Sequence, residues 1–336
     1  MTDVTINQGW DQNDGPLSTP GVPRTKQLQD LVNILATNYQ LVDSEERRQR
    51  SKPAGIGRDL AGHDLELYET WLAEAHRFYR EASQQKLPLT YDSEWILDNY
   101  YIIRQALQQI KEDLPPSFFN QLPRLVGEPL KGYPRIYAIA RTVLVNQHLL
   151  LDPVDLQFIM IQFQGRVLIT MGELWALPIF LRYSLIEALA HQLVTSIQPL
   201  VKPDLPPLVQ GLPGEEALLG STEAAAGATT FTDGVANIIL SLRTISEQDW
   251  SDFFEAVSRL ERTLRKDPAG IYPRMDFKTR DMYCKEIEKL SLGSGRGEHE
   301  LAEILLDLAN PNGMNNANST QAEADDDPQD DPVSLL

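Results

Sequence analysis

Apolar residues recur along most of this chain at intervals of three and four positions, the spacing that places them on one face of a helix. This spacing predicts helices over residues 26–42, 63–85, 94–113, 117–125, 135–150, 153–165 and 170–198. It resumes in residues 233–242, 246–264, 276–290 and 298–309. Because helical spacing dominates almost everywhere, we predict an all-α fold, a multi-helix bundle or array.

Several polar residues mark where these helices begin. Ser93 and Asp152 precede two of the apolar runs, and we predict that they cap the helices that follow. Thr170 and Glu173 form a capping box, in which each side chain satisfies a free backbone N–H group of the other residue. This box is the strongest local signal in the chain, and it predicts a helix start at residue 170.

The helix that follows this box is apolar nearly all round, which is typical of a helix at the centre of a bundle. Arg182 and Glu187 interrupt its apolar surface. Two charges on a buried helix are tolerated when each has a partner. We therefore expect Arg182 and Glu187 to form a buried structural pair.

Proline, glycine and acidic residues divide the chain into regions. A Pro/Gly-rich linker is predicted at 199–231, where five prolines and four glycines occur. The ends of the chain are polar and have too few apolar residues to form a core, so we predict that both are disordered. The predicted regions are a disordered leader (1–25), a helical domain (26–198), the linker, a helical subdomain packed on the first (232–309) and a disordered acidic tail (310–336).

The formal net charge is −18, and residues 1–23 and 311–336 carry about half of it without a single Lys or Arg. This excess of acid argues against binding to nucleic acid or to an anionic membrane, since both need clustered basic residues. The sequence has neither a secretory signal nor an apolar run long enough to span a membrane. We expect a soluble, cytoplasmic protein with no transmembrane segment of its own.

Motifs for catalysis are missing from the sequence. The five histidines lack the spacing of a metal-binding helix, and the single cysteine, Cys284, has no local partner for a nucleophile. No glycine-rich phosphate loop or nucleophile elbow occurs. We assign no catalytic residue, no metal site and no cofactor from these patterns.

One segment is rich in side chains that can make contacts: Arg274, Asp276, Arg280, Asp281 and Tyr283. We call these five residues the contact patch. They are consistent with a surface that contacts carbohydrate or a partner protein. The interpretation we favour is a structural role, in which Asp276 caps a helix while Arg274 and Arg280 pair with Asp267 and Asp281.

An ordered series of motifs resembles cyclic β-1,2-glucan synthases, and it extends over about residues 90–309. The first part is EWILDNYY at 94–101 with KEDLP at 111–115. The second is YPRIYA at 133–138, followed by GELWALP at 172–178 and LRYSLIE at 181–187. The third is DWSDFF at 249–254, followed by DPAGIY at 267–272 and MDFKTRDMY at 275–283.

In that family these motifs belong to the N-terminal cytoplasmic region of a very large inner-membrane enzyme. That region is followed by transmembrane helices, a family 84 glycosyltransferase domain that uses UDP-glucose, and a glycoside-phosphorylase-like domain. The resemblance implies a helical accessory or regulatory module, as a separate or truncated segment without the catalytic domains. It would lie at the inner membrane by binding its partner, the membrane glycosyltransferase domains. The resemblance assigns no catalytic residue of the family to this chain.

Two alternatives remain open at this point. One is a free-standing protein that binds β-1,2-glucan or transfers glucosyl groups. The other is a general helical adaptor whose partner has no connection with glucan.

Overall fold

The computed structural model describes residues 24–39, 64–125, 130–197 and 232–309. Every regular element in these ranges is a helix, and an isolated β-bridge joins Arg124 and Pro134. The predicted all-α fold is therefore confirmed. The leader up to residue 23, the Pro/Gly segment at 199–231 and the acidic tail at 310–336 lie outside the described residues.

Contacts divide the chain into two compact units, Met1–Val257 and Ser258–Leu336. The helices of the first unit are α1 (Arg24–Asn38), α2 (Leu65–Gln84), α3 (Tyr91–Asp113), α4 (Pro116–Phe119), α5 (Arg135–Asn146), α6 (Pro153–Gln164), α7 (Met171–Ile197), α8 (Thr232–Glu247) and α9 (Trp250–Val257). Those of the second unit are α10 (Arg259–Leu264), a 3₁₀ helix (Tyr272–Arg274), α11 (Phe277–Ser294) and α12 (Glu298–Ala309).

Helix α7 occupies the centre of the first unit. It packs against α2, α3, α5 and α8, and side chains on all its sides are buried. The capping box at its start forms as predicted: the backbone N–H of Glu173 donates to Thr170 Oγ1 at 3.2 Å, and that of Thr170 donates to Glu173 Oε2 at 3.1 Å. The central position predicted for this helix is confirmed.

Helix α3 begins earlier than the sequence predicts. Its cap is Thr90, whose hydroxyl oxygen accepts from the backbone N–H of Ser93. Ser93 is already helical and donates its own hydroxyl to the carbonyl of Thr90 at 2.7 Å. The prediction of Ser93 as the cap was therefore wrong by one turn, whereas the cap at Asp152 is confirmed by its bond from the N–H of Val154.

Helix α8 follows the segment at 199–231 and packs against α3 and α7, within the first unit. The boundary between the two units lies after Val257. The linker predicted at 199–231 stays a prediction, because that segment is outside the described residues.

The second unit is a small helical assembly in which α10 and α11 both pack against α12. Helix α11 begins at the cap Asp276 and ends at Gly295, which has a φ of 72°. A residue without a Cβ atom adopts this left-handed conformation at little cost, so Gly295 suits the end of the helix.

Candidate functional site

Two aspartates in and beside the contact patch have structural roles. Asp276 accepts from the backbone N–H of Thr279 at 2.7 Å, which confirms the predicted helix cap. Asp267 accepts from the backbone N–H groups of Ala269, Ile271 and Tyr272 at 2.8–3.0 Å. These bonds favour the ionised forms, so the pKa of each carboxyl lies below its usual value.

Arg280 is buried beneath the patch. Its Nε lies 2.9 Å from Oε1 of Glu261, and its Nη1 donates to the carbonyl of Met275. The structural interpretation of the sequence paired Arg274 and Arg280 with Asp267 and Asp281; in the structure, Glu261 of α10 contacts the guanidinium of Arg280. Glu261 did not stand out in the sequence, because it falls inside the helix predicted at 246–264 and no local signal marks it.

Glu261 is the centre of a buried polar cluster. It accepts from the hydroxyl of Tyr272 at 2.6 Å and pairs with Arg265 at 2.9 Å, besides its contact with Arg280. The Tyr272 hydroxyl also lies 3.6 Å from Sγ of Cys284. Burial raises the pKa of the Cys284 thiol to about 12, and burial followed by the bond to Glu261 raises the pKa of Tyr272.

Four residues of the contact patch remain accessible to some degree. Arg274 and Asp276 are exposed, and Tyr283 is about half exposed while its ring meets that of Tyr272 edge to face. Asp281 is partly exposed and pairs with Lys285 at 2.6 Å, one helical turn away. Arg280 is thus the buried member of the patch, and the other four residues lie at or near the surface.

A buried ion pair joins two motifs of the first unit. Arg135 of α5 donates from Nε and Nη2 to the two carboxylate oxygens of Glu173 at 2.8 and 2.6 Å, and both side chains are inaccessible to solvent. Nη2 also donates to the carbonyl of Leu168 at 2.8 Å. This bidentate geometry holds α5 against the start of α7.

Glu187 is a second buried carboxylate on α7. It accepts from the hydroxyls of Tyr68 at 3.0 Å and Tyr137 at 2.8 Å, and the charge of Arg141 acts on it. Burial is the strongest influence, and it raises the pKa of Glu187 above its ordinary value of 4.5. The pair predicted between Arg182 and Glu187 was wrong. Arg182 instead donates to the carbonyl of Pro178 and is influenced by Asp113.

A surface groove lies between α2 and α3, with a volume of about 470 Å³. Its lining side chains are Glu69, Tyr101, Arg104, Gln105 and Gln108. Lys111 pairs with Glu69 at 2.5 Å, and Gln108 donates to Glu112 at 2.6 Å. The sequence analysis missed this groove, because its residues have the helical spacing of an ordinary solvated face.

Within the described ranges, no group of three or more His, Cys, Asp or Glu side chains is arranged to hold a metal ion. None of the described helices combines the length and the apolar character that crossing a membrane requires.

No family model matches this chain. The chain is similar to the cyclic β-(1,2)-glucan synthase NdvB of Rhizobium meliloti (strain 1021), with 28% identity over 372 aligned residues. The alignment covers 88% of this chain and 12% of the synthase, so the chain spans a small part of that relative's length. The identity extends well beyond single motifs, and it shows that this chain is related to a cyclic β-(1,2)-glucan synthase.

Proposed function

We propose that this chain is a helical accessory module in cyclic β-1,2-glucan synthesis, which positions or regulates a membrane glycosyltransferase. The observation that carries the proposal is the relation to a cyclic β-(1,2)-glucan synthase over 88% of the chain. Under this proposal the chain lies at the inner membrane through its partner. The glucosyl transfer itself is performed by that partner.

The positions of the motifs that resemble the synthase family support a role in packing and docking. Arg135 and Tyr137 of one motif contact Glu173 and Glu187 of the next two, and all four side chains are buried. These residues stabilise the contact between α5 and α7. The motifs at 133–138, 172–178 and 181–187 therefore lie mostly in the interior of the first unit, which suits a module that acts by its shape.

Two exposed leucines on α12 offer a place for docking. We define the α12 surface by Leu305 and Leu308, which are 40% and 62% exposed and lie one helical turn apart. Exposed apolar side chains grouped on a soluble unit commonly mark a site of protein interaction.

The charge of α12 indicates what kind of partner fits. This helix contains Glu298, Glu300, Glu303 and Asp307 but neither Lys nor Arg. An amphipathic helix with a basic face meets both the apolar side chains and the carboxylates. We infer that the occupant is a basic amphipathic segment of the glycosyltransferase.

Co-purification tests the docking proposal. The tagged full chain is mixed with a detergent-solubilised cyclic β-1,2-glucan synthase, with Leu305→Glu and Leu308→Glu as variants and Leu168→Glu as the matched control. Leu168 is a partly exposed leucine of the first unit, 42% accessible. We expect the two α12 variants to lose the synthase and the control to retain it. Equal retention by all three, or no capture by the unaltered chain, would overturn the docking proposal.

A second assay separates the accessory role from the enzymatic alternative. The purified chain is incubated with UDP-glucose, and β-1,2-glucan is measured over time. We expect no sustained synthesis by the chain alone and a changed rate when it is added to the synthase. Steady synthesis by the chain alone would contradict the accessory role.

A further inference from the structure

The groove between α2 and α3 is built mainly by one helical stripe. Tyr101, Arg104, Gln105 and Gln108 occupy positions i, i+3, i+4 and i+7 of α3, so their side chains lie along the same face. Glu69 of α2 forms the opposite wall. The volume of about 470 Å³ lies within the range of roughly 300–1,000 Å³ that small-molecule sites occupy.

The side chains of this stripe are available to a ligand. Tyr101 is 61% exposed, which leaves its ring face open to the groove. Tyr101, Arg104 and Gln105 have no hydrogen-bond or ion-pair partner among the residues that the structure describes. A solvated helix face is usually occupied by charged residues, whereas three of the four residues of this stripe are a tyrosine and two glutamines.

The remaining walls are held in place by their neighbours. Lys111 fixes Glu69, and Glu112 fixes Gln108 through the bonds described above. Beside the groove, the rings of His76 and Tyr100 stack at 3.9 Å with an angle of 9° between them, which joins α2 to α3. The groove thus has a supported frame with three free polar or aromatic side chains inside it.

The chemistry of the lining favours an uncharged polyhydroxylated ligand. Lys111 neutralises Glu69, and the carboxylate of Glu112 beside Gln108 balances the charge of Arg104, so a strongly charged ligand gains little. A pyranose ring presents a flat C–H face that packs on an aromatic ring such as that of Tyr101. Its hydroxyl groups match the paired donors and acceptors of Gln105 and Gln108.

We propose that this groove binds a short β-1,2-linked glucose oligosaccharide, an assignment of ligand that rests on the proposed function. Tyr101 supplies the stacking surface, and Arg104, Gln105 and Gln108 bind the sugar hydroxyls. The groove belongs to the first unit, whereas the docking surface proposed for the glycosyltransferase belongs to the second. Glucan binding and partner docking therefore depend on different residues.

Calorimetric titration of the full chain with short β-1,2-gluco-oligosaccharides tests the groove. We expect Tyr101→Ala to weaken binding about tenfold or more and Gln105→Ala to weaken it several-fold. Tyr91→Ala is the matched control, because Tyr91 lies on the same helix, is 52% exposed and is not part of the groove lining. This control should bind as the unaltered chain does, and helicity should be equal in all variants.

The same titration shows which claim fails. No binding, or binding that Tyr101→Ala leaves unchanged, overturns the groove. Equal affinity for an α-1,4-linked maltooligosaccharide overturns the assigned linkage. Co-purification of Tyr101→Ala with the synthase is expected to be normal. A chain that binds oligosaccharide but never the synthase would contradict the accessory role and leave the groove intact.

Discussion

Arg135 and Glu173 face each other in the interior of the first unit, with Nη2 and Oε2 2.6 Å apart and no solvent access to either side chain. The carboxylate also accepts from the backbone N–H of Thr170 at the start of α7. One side chain therefore completes a helix cap and neutralises a buried guanidinium from another helix.

Removal of one member of this pair should be strongly destabilising. We expect Arg135→Met to lower the free energy of unfolding by about 3–5 kcal/mol, because a buried carboxylate remains without its counter-charge. The double variant Arg135→Met/Glu173→Gln should lose less than the sum of the two single losses. Urea denaturation followed by circular dichroism measures both values.

A surface pair provides the control for this prediction. Lys289 and Glu286 form an ion pair with both side chains more than half exposed. Lys289→Met should change stability by about 0–1 kcal/mol, as is usual for exposed pairs. Additive losses at Arg135 and Glu173 would show that the two side chains are not coupled.

The stability of the first unit should depend on the ionisation of Glu187. Its pKa is raised in the folded chain, mainly by burial, so the folded state binds a proton more tightly than the unfolded state does. The contribution of this residue is then fully present below about pH 4.5 and falls as the pH rises through the folded value.

Glu187→Gln removes the titrating group. Its single amide oxygen can still accept from one of the two tyrosine hydroxyls, and the loss of the other bond does not depend on pH. The free energy of unfolding of the unaltered chain, minus that of Glu187→Gln, should decrease between pH 4.5 and neutrality. Thermal or urea denaturation across this range measures the difference. A constant difference would mean that Glu187 ionises alike in the folded and unfolded states.

Cys284 should react slowly in the folded protein. It is 2% exposed, and burial raises the pKa of its thiol to about 12. Since the thiolate is the reactive form, alkylation by iodoacetamide at pH 8 should be more than about a hundredfold slower than in the urea-unfolded chain. Cys284 is the single cysteine of the sequence, so mass spectrometry gives its labelling rate directly.

The contact patch should separate into supporting and accessible members. Arg280→Met should destabilise the second unit by about 3 kcal/mol, because Glu261 stays buried without this partner. Arg274→Ala should leave stability nearly unchanged, since that side chain is exposed. The rate at which Cys284 is labelled in mild urea measures the stability of the second unit in each variant. Equal labelling rates in the two variants would contradict the predicted difference in stability.

Local signals in the sequence predicted the helices and several caps, because apolar spacing and capping boxes act within a few residues. The start of α7 at Thr170 and the cap at Asp276 follow such local rules. Ser93 shows where they fail, since Thr90 offers an equivalent hydroxyl three residues earlier and the helix uses that one.

Contacts between distant residues were not predictable in this way. Glu261 lies in α10 and Arg280 in α11. No local pattern in the sequence indicates which of the 48 acidic residues pairs with Arg280. Glu187 meets Tyr68 across 119 residues, so its partners depend on how α2 packs on α7. The groove at Tyr101 likewise arises from the packing of α2 on α3.

The two links between α5 and α7 also bear on how segments of this chain can be exchanged with those of its relative. Arg135 bonds to Glu173 and Tyr137 bonds to Glu187, so both contacts lie within residues 135–187. A chimera with a junction inside that interval would combine a guanidinium or hydroxyl from one parent with a carboxylate placed by the other. Residues 135–187 should therefore be transferred as one block, together with α2, because Tyr68 of that helix also donates to Glu187.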